Sequence, residues 1–275
     1  MDTGKIKNLI IMILALLNIF LLVITLVDRA ESRSSQREAL ELARQALSAR
    51  GISADDSLDK PWETPSVYRL RRDLSQEQEK MERLLGGGGS SDLGGNIRFY
   101  SAAGGQASLR GTGEMDVLLT AGYEKANGSR SKSAEKFLAS LGMESWKESL
   151  RERDNGDAVV LELDAGWNGC RVYNVGMSFT FSGDELIMVS GTRLLDQAED
   201  LGNDGVMDLL TVTMRFVEVV EQEGLVCSRL LGVDVGYFAT VTLSGESTLT
   251  PLWHFATDSG DVYINALTGK TESIA

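Results

Sequence analysis

Histidine is nearly absent from this chain, and cysteine, proline and positive charge are scarce. Its 275 residues include one histidine, His254, two cysteines, Cys170 and Cys227, and three prolines. One histidine and two distant cysteines do not supply the spaced ligands of a tetrahedral zinc site. His254 sits in Pro251-Leu252-Trp253-His254-Phe255, and no nucleophile elbow accompanies it, so hydrolase chemistry would have to be assembled from scattered residues. The expectation is therefore a protein that is not an enzyme, with no catalytic, metal-ligating or cofactor-binding residue. Lys and Arg number 27 against 40 Asp and Glu. That balance argues against a nucleic-acid partner, which requires clustered cations. No lysine lies between Lys80 and Lys125, so the run Gly86 to Gly89 with Ser90 and Ser91 lacks the Gly-Lys-Ser/Thr ending of a phosphate-cradling loop. From Gly86 to Gly113 the chain reads as a flexible, solvated loop, apart from a short strand near Ile97 to Tyr100.

Carboxylates are too abundant for their spacing to inform. Glu152 with Asp154, or Asp258 with Asp261, would suit glycoside hydrolysis only at a fixed separation around a sugar, and turn chemistry explains the second pair more simply. The stretch from Asp200 to Asp208 lacks the spacing and terminal Glu of an EF-hand loop. Asp204 there is expected in the N-cap region of a helix.

What the chain does have is one long apolar run. From Leu9 to Val27 only Asn18 and Thr25 are polar, and nineteen residues at 1.5 Å per residue cross roughly the 30 Å hydrocarbon layer. A cleaved signal peptide would have a shorter core and small residues at the cut, where this chain has Asp28. The run is read as an uncleaved transmembrane helix, with residues 1–8 a cytoplasmic tail. Basic residues flank both sides, Lys5 and Lys7 before, Arg29, Arg33 and Arg37 after, so orientation rests on the tendency of long downstream domains to translocate. Residues 28–275 are then extracytoplasmic. They hold 25 basic and 39 acidic side chains, a net of −14, so attachment to the bilayer depends on the helix and not on a basic patch. In that compartment Cys170 and Cys227 are compatible with either a disulfide or two free thiols.

A weak repeat organises the remainder. Leu40, Ala43 and Leu47 stand at helical spacing before Gly51-Ile52. Phe137, Leu138 and Leu141 precede Gly142-Met143. Val206, Leu209, Leu210, Phe216, Val217 and Val220 precede Gly224-Leu225. Each apolar stripe thus ends at a glycine suited to a left-handed C-terminal cap, followed by an apolar residue. Strand-like runs with Gly-containing turns follow the second and third helices, among them Pro251 to Ala256 and Val262 to Asn265 around Asp258, Ser259 and Gly260. The expected fold class is α+β: one N-terminal transmembrane helix (9–27), then helix-plus-antiparallel-meander modules at 28–130, 131–202 and 203–275.

Two ends of the sequence carry a family resemblance. Met1-Asp2, Lys5, Lys7 and the span holding Asn18-Ile19-Phe20-Leu21 resemble the start of the YycI-type regulatory proteins of Gram-positive bacteria. Pro251-Leu252-Trp253-His254-Phe255 through Asp261-Val262-Tyr263-Ile264-Asn265-Ala266 to Thr268-Gly269-Lys270 resembles the closing hairpin of that family and of PepSY-like modules. These ends cover about a quarter of the chain, and the Gly-rich stretch departs from the pattern. The resemblance implies an accessory protein of the cell membrane that associates with a YycH-type sister protein and a cell-wall-sensing two-component histidine kinase, whose signalling it adjusts, with no catalytic residues. Its residue with the sharpest expected role is Asn18, the one strongly polar side chain near mid-span, which is expected to hydrogen-bond a partner helix within the bilayer. A PepSY-like peptidase inhibitor or ligand-binding module, and a wall-active hydrolase, are the alternatives.

Overall fold

The computed structural model describes residues 37–54, 58, 64–122, 129–242 and 245–274. The apolar run 9–27 lies outside these residues, and no helix among those described is long and apolar enough to cross a membrane. Four α-helices occur among the described residues: α1 (residues 37–49), α2 (Leu74–Leu85), α3 (Arg130–Ser140) and α4 (Leu209–Glu223). Fourteen strands accompany them. They are β1 (Ser53–Ala54), β2 (Tyr68–Arg71), β3 (Gly89–Gly94), β4 (Ile97–Ala102), β5 (Gly105–Arg110), β6 (Glu114–Leu119), β7 (Glu144–Asp154), β8 (Val159–Trp167), β9 (Cys170–Ser182), β10 (Glu185–Thr192), β11 (Gln197–Asp200), β12 (Arg229–Val241), β13 (Ser247–Thr257) and β14 (Gly260–Asn265).

The helix ends follow from local chemistry. Gly51, Gly142 and Gly224 have φ of 76°, 77° and 65°, and the next residue's N–H returns to the chain in each case: Ile52 to Leu47 O, Met143 to Leu138 O and Leu225 to Val220 O, all at 3.0 Å. Only glycine enters this left-handed turn without steric cost, so three helices stop by the same device. The start of α4 is capped by Asp208, whose carboxylate accepts the Thr211 N–H at 2.8 Å, and not from the neighbourhood of Asp204. That displacement is four residues and leaves the apolar phase of the helix unchanged.

The expected α+β modules are overturned: all fourteen strands join one large mixed sheet, and the chain is mostly β. Its main path runs β11-β2-β13-β12-β9-β10-β6-β5-β4-β3, with β1 beside β12, β14 beside β13, and β8 then β7 beside β9. Local meanders do form, β7 to β10 after α3 and β12 to β14 after α4, but their edges do not stay open. Unpaired strand edges expose backbone donors and acceptors, and here β6 closes on β10 while β1 and β2, from the N-terminal side, pair with β12 and β13. Hydrophobic periodicity reports pairing along a hairpin and contains nothing about which distant edges meet.

The two halves meet where β9 runs parallel to β12 through a single residue pair, Val172 with Tyr237. The side chain of Asn174 completes the join. Its amide donates to Ala239 O at 2.7 Å and accepts the Ala239 N–H at 2.8 Å, as a neighbouring strand's backbone would. The Gly-rich stretch is likewise ordered, not a flexible loop: it supplies β3, β4 and β5, with Gly95 and Asn96 both at positive φ, 60° and 64°, in the turn between β3 and β4, the geometry that two-residue hairpins require.

Alternation along strands places the helices on one side. Val233, Trp253, Phe255 and Ile264 pack with Leu47, Phe216 and Val217, whereas Tyr237, Leu249, Phe179 and Val117 pack with Met81, Phe137 and Leu138. Val233 and Tyr237 share one face of β12, as Leu249 and Trp253 share one face of β13. All four helices therefore cover the same face of the sheet. The expected stripe on α4 is present, with Phe216 fully buried and stacked on Phe255 at 4.5 Å. Leu209 and Val220 are half-buried, and Val219 joins the core.

Candidate binding face

The opposite face carries the other residues of the same strands. Because Trp253 and Phe255 turn toward α4, His254 must point away. It stands across from Asp234 on β12 and from Tyr263 on β14, with Asp261 one diagonal step away. Cross-strand neighbours at these positions are in contact range. The imidazole stacks on the Tyr263 ring at 4.7 Å and 14°, and the Tyr173 ring meets both edge-on, 5.8 Å from His254 and 5.2 Å from Tyr263. Gly236 makes the room, since a Cβ there would lie 2.6 Å from the Tyr173 ring.

Charges surround these rings. Asp234 approaches His254 Nδ1 at 3.9 Å, and Asp261 approaches Nε2 at 3.3 Å without the alignment of a hydrogen bond. The Arg171 guanidinium lies 4.8 Å from the Tyr173 ring centre while pairing with Asp164 at 2.6 Å. Burial, reinforced by Asp234, pushes the Tyr173 phenol well above its ordinary pKa. Burial and then Asp261 do the same to Tyr263. Both phenols are neutral hydrogen-bonding rings at physiological pH. Nothing in the arrangement sets a nucleophile beside an orienting base. It offers rings, two exposed carboxylates and a guanidinium on a sheet face.

A second polar centre is buried on the helix side. Glu77 of α2, 1% exposed, accepts both Arg72 Nε and Nη2 at 2.7 Å, the Tyr100 hydroxyl at 2.9 Å, and Arg193. Arg193 also reaches Asp196 at 3.2 Å, and Lys80 reaches it at 2.8 Å. Burial would raise the Asp196 pKa, yet Arg193 and Lys80 outweigh it and hold the carboxyl below the usual range. The centre fastens α2 to the chain after β10. Its charged groups pair with one another and only Arg193 Nε is left without a partner, which fits a structural role. Sequence reasoning missed it, although a signal existed: Glu77, Met81 and Leu85 form one stripe of α2, placing a glutamate where the helix expects a core residue.

No protein-family model and no curated protein matches the chain. Among solved structures, an uncharacterized protein from Eubacterium rectale ATCC 33656 is similar over 77% of this chain and 86% of its own, at 8% identity and a TM-score of 0.40. The Bacillus megaterium YpeB C-terminal domain is similar over 75% and 98%, at 14% identity and a TM-score of 0.35. Both TM-scores are low, and neither relative supplies a role to this chain. Asn18, the residue expected to bind a partner helix, lies outside the described residues. Cys170 and Cys227 are free and half-buried, and burial raises both thiols above their ordinary pKa.

Proposed function

We propose that this protein is a non-catalytic accessory protein, anchored in a bacterial membrane by residues 9–27, that docks with its extracytoplasmic sheet onto a cell-wall-sensing histidine kinase and its YycH-type sister protein and adjusts the kinase's output. The observation that carries the reading is the one-sided packing of the sheet. Four helices occupy one face, while the other carries the partly exposed His254 and Tyr263 and the exposed carboxylates Asp234 and Asp261, with no described helix upon it. A helix-free sheet face that displays carboxylates beside aromatic rings at a membrane surface is arranged to bind. The resemblance of the N-terminal span and of the closing hairpin to YycI-type proteins supplies the partner.

A second reading is favoured by α4 followed by the antiparallel run β12, β13, β14, the helix-then-meander layout of a PepSY-like module. In that case the partner is a peptidase that the module inhibits or a ligand that it holds. Full-length protein in lipid nanodiscs separates the two. Retention of the detergent-solubilised kinase on immobilised protein, with no effect on peptidase activity, is the expected result. Inhibition of a peptidase without kinase retention would replace the first reading by the second, and release of fragments from wall material would overturn both.

A further inference from the structure

We infer that the open face holds a binding site for a cationic side chain, an arginine or lysine presented by a basic segment of the partner protein, formed by Asp234 and Asp261 at the stacked His254 and Tyr263 rings. This rests on the reading of the face as a binding surface, but not on the partner being a kinase.

Three observations lead to this chemistry. Asp234 and Asp261 are 57% and 53% exposed, and among the described residues neither has a lysine or arginine partner. They stand on two different strands, β12 and β14, on either side of the His254 ring, approaching its Nδ1 at 3.9 Å and its Nε2 at 3.3 Å, so a cationic group set at the exposed edge of the His254–Tyr263 stack lies between two carboxylates. Such a group gains from the ring quadrupoles as well as from the carboxylates. The protein itself already uses this mode once, with Arg171 over Tyr173 and its charge balanced by Asp164. The occupant follows from charge complementarity: the chain's net charge of −13 steers basic segments toward it and disfavours a second copy of itself. Register fixes the geometry, because Asp234, His254 and Tyr263 are successive cross-strand neighbours whose positions cannot drift independently.

One histidine in the chain gives the site its own reporter. Full-length protein in nanodiscs, labelled only in histidine, shows a single imidazole signal by NMR. At fixed pH and low salt, titration with acetyl-Gly-Arg-Gly-amide should shift that signal in a saturable way, and the citrulline counterpart, equal in shape but uncharged, should leave it in place. The double variant Asp234→Asn with Asp261→Asn should bind about tenfold more weakly, with its unfolding midpoint near the parent's. Asp116→Asn, which removes an exposed carboxylate elsewhere on the same face, should bind as the parent does. An equal response to the citrulline peptide, an unmoved signal, or equal weakening by Asp116→Asn would overturn the site. Peptide binding without kinase retention would sink the kinase reading and leave this inference standing. Kinase retention unchanged in the double variant would sink this inference and leave the kinase reading standing.

Discussion

Replacing Glu77 by glutamine tests whether the buried ionic centre holds the structure together. The substitution preserves size and removes the charge on which Arg72, Arg193 and the Tyr100 hydroxyl converge. Arg193 is 4% exposed and the Arg72 side chain 9%, so neither guanidinium can recover its hydration without α2 moving. Breaking a buried pair by removing one partner costs about 3 to 5 kcal/mol, because an uncompensated charge remains. For a domain of this size that lowers the unfolding midpoint by roughly 6 to 20 °C. Removing the pair as a unit, Arg72→Met with Glu77→Met, leaves Arg193 facing Asp196 and no arginine stranded. The double variant should therefore be more stable than Glu77→Gln by at least about 1 kcal/mol. Urea unfolding of the three proteins, followed by tryptophan fluorescence, gives both differences. A Glu77→Gln variant within about 0.5 kcal/mol of the parent, or a double variant no more stable than Glu77→Gln, would refute the reasoning.

Other expectations follow from the same contacts. Phe216→Ala, which empties a fully buried position stacked on Phe255, should cost about 3 to 5 kcal/mol in the same urea assay. Asn174→Asp turns the amide donor toward Ala239 O into a carboxylate facing a carbonyl and should cost about 1 to 3 kcal/mol, with hydrogen exchange accelerated first at the β9–β12 join. The Asp196 carboxyl titrates below its unfolded value, so the stability it contributes is present above the ordinary carboxylate pKa of about 4 and disappears as pH falls through the lower folded value. A pH series of unfolding midpoints should show that acid limb in the parent and a shallower one in Asp196→Asn. Asn18→Leu should insert and reach the surface normally yet reduce co-purification of the kinase, a loss equivalent to about 0.6 to 2 kcal/mol of helix pairing; unchanged co-purification would make the span a tether only.

Much of the local structure was legible. The three glycine stops were readable because the left-handed turn after a helix has a residue requirement, and the apolar phase of α4 was readable because a 3.6-residue period has one core-facing solution. The aromatic strand Pro251 to Ala256 and its partner Val262 to Asn265 were readable from apolar runs on either side of a Gly-containing turn. What stayed hidden depended on non-local partners. Glycines from Gly86 to Gly113 suggested flexibility around a short strand at Ile97 to Tyr100, yet Gly89 to Gly94 and Gly105 to Arg110 pair on either side of it once β6 and β10 provide an edge. β9 is one strand whose pairing with β8 shifts between Asp164 and Ala165, an irregularity that only the partner strand defines. The single sheet was invisible because Val172, Asn174, Tyr237 and Ala239 lie more than sixty residues apart and no local period links them. The binding face was half-visible: His254 stood out by rarity, but Asp234, Tyr263 and Tyr173 gain meaning only from register.

The most direct test of the account is where the partner touches. A photo-crosslinking residue is placed singly at Thr240 or Leu118, both exposed on the face without helices, or at Met214, exposed on α4. Each full-length variant is irradiated in native membranes that contain the kinase. Adducts with the kinase or its sister protein from Thr240 or Leu118, and none from Met214, are the predicted result. Adducts from Met214 alone would contradict it, since the helix-covered side would then be the one that binds.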